Sequence, residues 1–174
     1  MNLQNAIQLA RTLMNQHGLS HIPLEISRGK RQCGYCAWRF NHTTGKHETS
    51  KISISRYHIE LNDEKEVKET ILHEIAHALV PNQGHNWVWR MKAREIGATG
   101  KRCASKTTVI LKGRLTGTCP KCGKVYYRHR AGHRVINSTW TCKCGGKFKF
   151  VDSLNPVSKA ACDTQAPILR ESIP

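Results

Sequence analysis

The sequence predicts an α+β protein in which helices pack on a small antiparallel sheet and a small β zinc ribbon follows. Three observations predict it. Apolar residues recur at helical spacing through Val67, Ile71, Ile75, Ala78 and Leu79. Short β-prone stretches crowd residues 22–55. Two tight cysteine pairs, Cys119/Cys122 and Cys142/Cys144, stand in the C-terminal third. The expected division is a helix-and-sheet domain over residues 1–105, the ribbon over 106–151 and a flexible tail over 152–174.

Residues 2–17 are predicted as the first helix, with Asn2 as cap and Gly18 as stop. Leu3, Ala6, Ile7, Ala10, Leu13 and Met14 make an amphipathic stripe there, not the apolar core of a secretion signal. Ile22–Ser27 is β-prone and runs into a turn at Arg28-Gly29-Lys30. Cys33–Phe40, with Tyr35, Trp38 and Phe40, is a strand. Asn41–Lys46 is a hairpin-like loop, and Lys51–Ser55 alternates at period two. Cys33 and Cys36 have C-x-x-C spacing but no second pair nearby. In an extended strand they point to opposite faces, so they are assigned to packing. Histidines 17, 21, 42, 47 and 58 fall in loops or at element ends and are expected as solvated or capping groups.

Asp63, with Glu66 three residues later, has the pattern of an N-cap and capping box, and Pro81 ends the helix that follows. Within it lies Ile71-Leu72-His73-Glu74-Ile75-Ala76-His77-Ala78-Leu79, an H-E-x-x-H motif in an apolar stretch. Four residues apart on a helix, His73 and His77 project from one face and can grip one zinc ion, with room for a third ligand and a water. Glu74 stands beside the first histidine, where it can take a proton from that water. This is the arrangement of a metalloprotease active site. The bland alternative is two core histidines and a surface glutamate. The apolar setting in a well-started helix favours the metal.

A second helical pattern, Val88, Trp89, Met91, Ala93 and Ile96, ends at Gly97. His85 precedes it by a short loop and is the favoured third ligand. Metzincins place Gly and His three and six residues after the second histidine, where this chain has Val80 and Gln83. The remaining alternative is a glutamate from the next helix. Glu95 is the one candidate and falls one or two residues short of the usual separation.

Residues 101–115 form a basic connector in which Thr107–Leu111 is β-prone. Cys119-Pro120-Lys121-Cys122-Gly123 has the composition of a zinc-knuckle turn, and nineteen residues separate Cys122 from Cys142. Two facing knuckles make a closed four-cysteine structural zinc site. The second pair is C-x-C, so its turn must differ, and His129 or His133 stays open as a substitute ligand. A ribbon this small has little core and needs metal to fold. Eight cysteines are compatible with disulfides, but tight pairs without a secretion signal favour metal.

The net charge is +16 and unevenly spread. Residues 1–100 hold 13 Lys/Arg against 9 Asp/Glu; residues 101–174 hold 15 against 3. Nucleic acid is the first partner such a region suggests, a merely soluble basic face the alternative. The candidate contacts are Lys124, Tyr126, Arg128, Arg130, Arg134, Lys147, Phe148 and Lys149, cations tracking phosphates and aromatic faces stacking on bases. Tyr127 and Trp140 are expected in the ribbon's core instead. No apolar run is long enough to span a membrane, and a cytoplasmic monomer is expected. The tail carries Pro156, Pro167 and Pro174, with Cys162 as a free thiol.

Taken together, His73-Glu74-Ile75-Ala76-His77-Ala78-Leu79, Gly84-His85 with Trp89 following, Gly34-Tyr35-Cys36 upstream, and Tyr126-Tyr127-Arg128-His129-Arg130 after the first knuckle resemble SprT-like proteins. These are bacterial and phage relatives of the Spartan DNA–protein crosslink protease. The resemblance covers residues 3–150. It implies a zincin-like minimal metalloprotease domain before the ribbon, one catalytic Zn2+ on His73, His77 and His85, and Glu74 as acid/base. A second, structural Zn2+ belongs to Cys119, Cys122, Cys142 and Cys144. The implied activity is DNA-dependent proteolysis of proteins bound or crosslinked to DNA, with single-stranded DNA or a single/double-strand junction as the stimulating form. The C-x-C pair departs from the family pattern, and no partner-recruitment motif is legible in the tail. Two rival classes remain: a non-enzymatic zinc-containing nucleic-acid-binding protein, and a plain peptidase with no DNA role. Glu74 argues against the first, since a purely structural site does not need it. The C-terminal charge argues against the second.

Overall fold

A computed structural model of the chain describes residues 1–152. Asp152, the first residue of the expected tail over 152–174, lies in a strand, and the rest of that stretch, with Cys162, lies outside the described residues. The chain divides into two compact units after Leu111, rather than after residue 105.

The first unit opens with α1 (Leu3–Gln16), where Asn2 Oδ1 accepts the Asn5 N–H at 2.8 Å and Ala6, Ala10, Leu13 and Met14 form the buried stripe. Three strands follow, β1 (Leu24–Ser27), β2 (Gly34–Asn41) and β3 (Lys46–Ser55). Their order is β1-β3-β2, with β3 antiparallel to β2 and parallel to β1. The sheet is therefore mixed, not antiparallel. β1 leaves its sequence neighbour β2 and joins the far side of β3, and local patterning that marks a strand does not name its partner. Ile52 and Ile54 turn to the core, while Lys51 faces outward against Glu25 and the Tyr35 ring.

Three helices complete the unit: α2 (Arg56–Leu61), α3 (Glu64–Leu79) and α4 (Trp87–Glu95). α3 lies across β2 and β3, and α1 and α4 pack on α3. Its buried stripe includes Val67, Ile71, Ile75 and Ala78, and full burial of each isoleucine stabilises the fold by about 1.5–3 kcal/mol. Asp63 Oδ1 accepts the Glu66 N–H at 2.9 Å, as a cap should. The reciprocal half of the capping box does not form. Glu66 instead accepts the hydroxyls of Thr107 at 2.7 Å and Thr108 at 2.6 Å. This anchors the stretch expected as a strand over Thr107–Leu111, and Val109 N–H donates to Asn62 Oδ1 at 2.7 Å. The Asn62 side chain, just before α3, takes the Val109 N–H and C=O, backbone groups that a β ladder would need.

α2 was not legible as a helix, and His58 within it is neither solvated nor a cap. It is 4% exposed, with Nε2 2.9 Å from Thr70 Oγ1 and Nδ1 3.2 Å from the Asn62 amide nitrogen.

The second unit contains β4 (Leu115–Thr118), β5 (Val125–Arg128), α5 (His133–Asn137), β6 (Trp140–Thr141), β7 (Lys147–Phe148) and β8 (Val151–Asp152). β4 is flanked by β5 and β8 in an antiparallel sheet, and β6 pairs with β7. Leu115, Cys119, Cys142, Phe148 and Phe150 are its buried cluster. Among the described residues no helix is long and apolar enough to cross a membrane.

Candidate metal centres and catalytic cleft

α3 projects His73 and His77 from one face, and the turn after it returns His85 to them. Asn82 and Gly84 adopt positive φ, 63° and 58°, which reverses the chain within a few residues. Asn86 Oδ1 then caps α4 through the Trp89 N–H at 3.1 Å. His85 Nε2 ends 2.9 Å from His73 Nε2 and 3.1 Å from His77 Nε2. Trp89, wholly buried, touches all three rings, with centroids 4.6 Å from His73, 5.0 Å from His77 and 4.6 Å from His85. Glu95 stands apart, its carboxylate held by Lys92 at 2.7 Å.

Burial, with His77 and His85 beside it, holds His73 down to about 4; burial and His85 do the same to His77. Burial, then Arg102 and Arg90, lower His85. The three imidazoles are thus neutral near pH 7 with ring nitrogens converging, and one proton cannot serve three of them. A cation can. A tetrahedral zinc would space its nitrogen ligands at about 3.4 Å, so the observed set needs to open by only a few tenths of an ångström.

Glu74 is 5% exposed beside His73, and burial pushes its carboxyl up to about 8 against the pull of a hydrogen bond from the Cys36 backbone N–H. Gly34 makes room for it, since a Cβ there would stand 3.1 Å from Glu74 Cγ and Oε1. Both His73 and Glu74 line an open cleft of about 600 Å³, walled by Gly34, Glu69, Lys101 and Arg102 among others. Cys36 packs against the core, and burial, with Glu74 nearby, pushes its thiol up to about 12. Cys33 is also raised by burial.

In the second unit four sulfurs converge. Cys119 and Cys144 Sγ are 3.5 Å apart and Cys122 and Cys142 Sγ 3.7 Å, too far for disulfides and close to the edge of about 3.8 Å expected for thiolates around tetrahedral zinc. His129 and His133 are not in the cluster. The shorter second turn closes as the first does: Gly123 N–H donates to Cys119 O and Gly145 N–H to Cys142 O, both at 2.9 Å, with both glycines at positive φ. Gly146 presses on Cys119 Sγ so closely that a side chain there would collide with it. The Tyr126 hydroxyl lies 3.1 Å from Cys142 Sγ and draws that thiol down to about 6.

The residues expected to meet nucleic acid separate by strand alternation. Lys124, Arg128, Arg130, Arg134, Lys147 and Lys149 are exposed. Phe148 is 8% exposed and stacks on half-buried Tyr126, so these two build the core and are not free base-stacking faces. Phe148 and Phe150 point inward between outward-facing Lys147 and Lys149. Conversely Tyr127, expected inside, is 43% exposed beneath the Lys112 ammonium. Trp140, half-buried under Arg128, packs against the ribbon's buried cluster as expected, edge-on to Phe150.

The sequence pattern gave no task at the sites to Gly34 or Gly146 and placed Trp89 only in the apolar pattern of its helix. The glycines act through close approach and Trp89 through contact with rings from another helix. The one local signal was a glycine beside a β-prone or cysteine-bearing stretch.

A sequence model of the SprT-like family matches residues 3–109. Comparison with curated proteins and with solved structures found no match. The matched segment contains the histidine cluster and Glu74, and the family is generally of metalloprotease type. The chain belongs to the SprT-like family.

Proposed function

We propose that this chain is a zinc-dependent, DNA-stimulated endopeptidase, a cytoplasmic monomer that cleaves proteins bound or crosslinked to DNA. The observation that carries the hydrolytic part is the convergence of three imidazole nitrogens next to a buried glutamate on an open cleft. His73, His77 and His85 would hold the catalytic zinc, and the four cysteines a structural one. Zinc, when bound, lowers the pKa of a water towards about 7 and polarises a carbonyl.

Glu74 does the proton work. Its carboxylate takes a proton from the attacking water and returns it to the amide nitrogen as the C–N bond breaks. Burial raises the proton affinity of this carboxyl, which helps it hold the proton until the amide nitrogen takes it. The Cys36 N–H orients the carboxylate, and Trp89 holds the rings of the three histidines. The cleft is open and lined by charges of both signs, which favours many peptide sequences over one.

The DNA part rests on charge. With 15 Lys/Arg against 3 Asp/Glu after residue 100, the C-terminal region suits a polyanion, and a shared strand raises the effective concentration of a bound target. The test is cleavage of a basic DNA-binding protein by wild type and Glu74→Gln, with and without single-stranded DNA. Cleavage by wild type alone, strongly increased by DNA, is expected. DNA-independent cleavage would leave a plain peptidase. No cleavage, with zinc and DNA both bound, would leave a nucleic-acid-binding protein.

A further inference from the structure

The exposed side of α4 has a composition that the hydrolytic site does not use. Trp89 and Ala93 take the buried stripe of this helix. Trp87, Arg90, Met91 and Arg94 fall at i, i+3, i+4 and i+7 on the other, and all four are exposed. Trp87 is 72% exposed and its ring meets no other ring or cation among the described residues. A bare indole on a small unit is an anchor without its counterpart.

The stripe continues beyond the helix. Gly100 lies against it, since a Cβ there would stand 3.2 Å from both Arg90 O and Arg94 Cγ, and Lys101 and Arg102 follow directly. Among the described residues no carboxylate pairs with Arg90, Arg94, Lys101 or Arg102, while Glu95 is occupied by Lys92. The ridge adjoins the candidate site, because Lys101 and Arg102 line the same cleft as His73 and Glu74. Unpaired guanidinium groups around a free indole match a ligand with both phosphates and stackable rings. An acidic polypeptide would satisfy the arginines but offer nothing to Trp87.

We propose that the outer face of α4, with Lys101 and Arg102, binds single-stranded nucleic acid, Trp87 stacking on a base and the arginines taking phosphates. The surface deepens the DNA-directed reading above and rests on it. It places a strand contact on the unit that carries Glu74, so a protein attached to that strand is presented at the cleft. From Trp87 to Arg94 the helix rises about 10 Å, enough for a base contact and a phosphate contact side by side.

The test uses the full zinc-loaded chain and a fluorescently labelled oligothymidylate, with affinity read by anisotropy across a salt series. The variants are Trp87→Ala, Arg90→Gln with Arg94→Gln, and, for the ribbon, Lys147→Gln with Lys149→Gln. All five positions are exposed, and circular dichroism checks that the variants fold. Trp87→Ala should weaken binding about tenfold at every salt concentration and remove part of the DNA-induced quenching of tryptophan fluorescence. The arginine pair should flatten the slope of log affinity against log salt by about 1.4. Wild-type binding with both α4 variants unchanged would overturn the surface and leave the DNA reading standing. No binding by wild type would remove both. Trp87-dependent binding of polyglutamate in place of the oligonucleotide would overturn the proposal in favour of an acidic protein.

Discussion

In the first unit eighteen buried residues form a core before any candidate ligand is counted. The second has five among the described residues, and two of those, Cys119 and Cys142, are candidate ligands themselves. His73 and His77 ride on a helix that apolar packing already fixes, and the turn to Asn86 delivers His85. Their site is set up by the fold and left free for chemistry. The four cysteines reverse the order of cause. Their turns lie next to a cluster of a few aromatic rings, so bringing the sulfurs together is a large part of what folding this unit means.

The largest effect that sharpens this contrast is metal removal. A structural zinc site contributes about 10–16 kcal/mol to a small domain, more than five buried residues can supply. Chelation should therefore abolish amide protection across Cys119–Phe150 while α1, α3 and β3 keep theirs, measured by hydrogen exchange. Equal loss in both units would break the comparison. Next is Trp89→Ala, which should cost about 3–5 kcal/mol in the first unit and release three histidine rings at once. Denaturant unfolding should show the lower midpoint, and ribbon protection should not change.

Gly34→Ala should act on the site more than on the fold. The new Cβ would stand 3.1 Å from Glu74 Cγ and Oε1 and from Ser53 O, a strain of about 1–3 kcal/mol that displaces the carboxyl. Peptide hydrolysis should fall at least tenfold while the unfolding midpoint moves only modestly. A midpoint shift with unchanged hydrolysis would mean that Gly34 serves packing alone.

The same contrast explains what could be read from the sequence. α3 and α4 were legible because a buried stripe repeats at helical period and caps lie in the adjacent residues. Asp63 does what its position promises, and the structure adds Asn86 as the cap of α4. The cysteine pairs were legible because their spacing is local. What failed was non-local. β1 joins β3 and not its neighbour, Glu66 answers Thr107 and Thr108 across forty residues, and His58 finds Thr70 on another helix. In the ribbon, Tyr126 and Tyr127 are adjacent and chemically alike, so pattern alone could not say which faces in. The register does: Tyr126 sits opposite Gly117, whose missing side chain admits the Phe148 ring beside it.

The smallest effect concerns His58, and it separates the units by pH instead of by metal. Burial lowers its pKa below the ordinary value near 6.5, and Nδ1 faces the NH2 of Asn62, so the neutral ring protonated at Nε2 fits the site. As pH falls through about 6.5 the unfolded chain takes up a proton that folded His58 resists. The unfolded state then binds more protons, so its contribution to stability is full above that pH and is lost on acidification. His73 and His77 lose stability in the same direction, which makes the difference between wild type and His58→Gln the quantity to measure. Between pH 7 and 5 the denaturant midpoint of the first unit should fall less steeply in the variant. Because Asn62 also holds Val109, amide protection at Val109 should fall with the same pH dependence in wild type. Identical slopes in the two proteins would show that His58 accepts its proton where it stands, and that the polar cluster beneath the start of α3 is indifferent to charge.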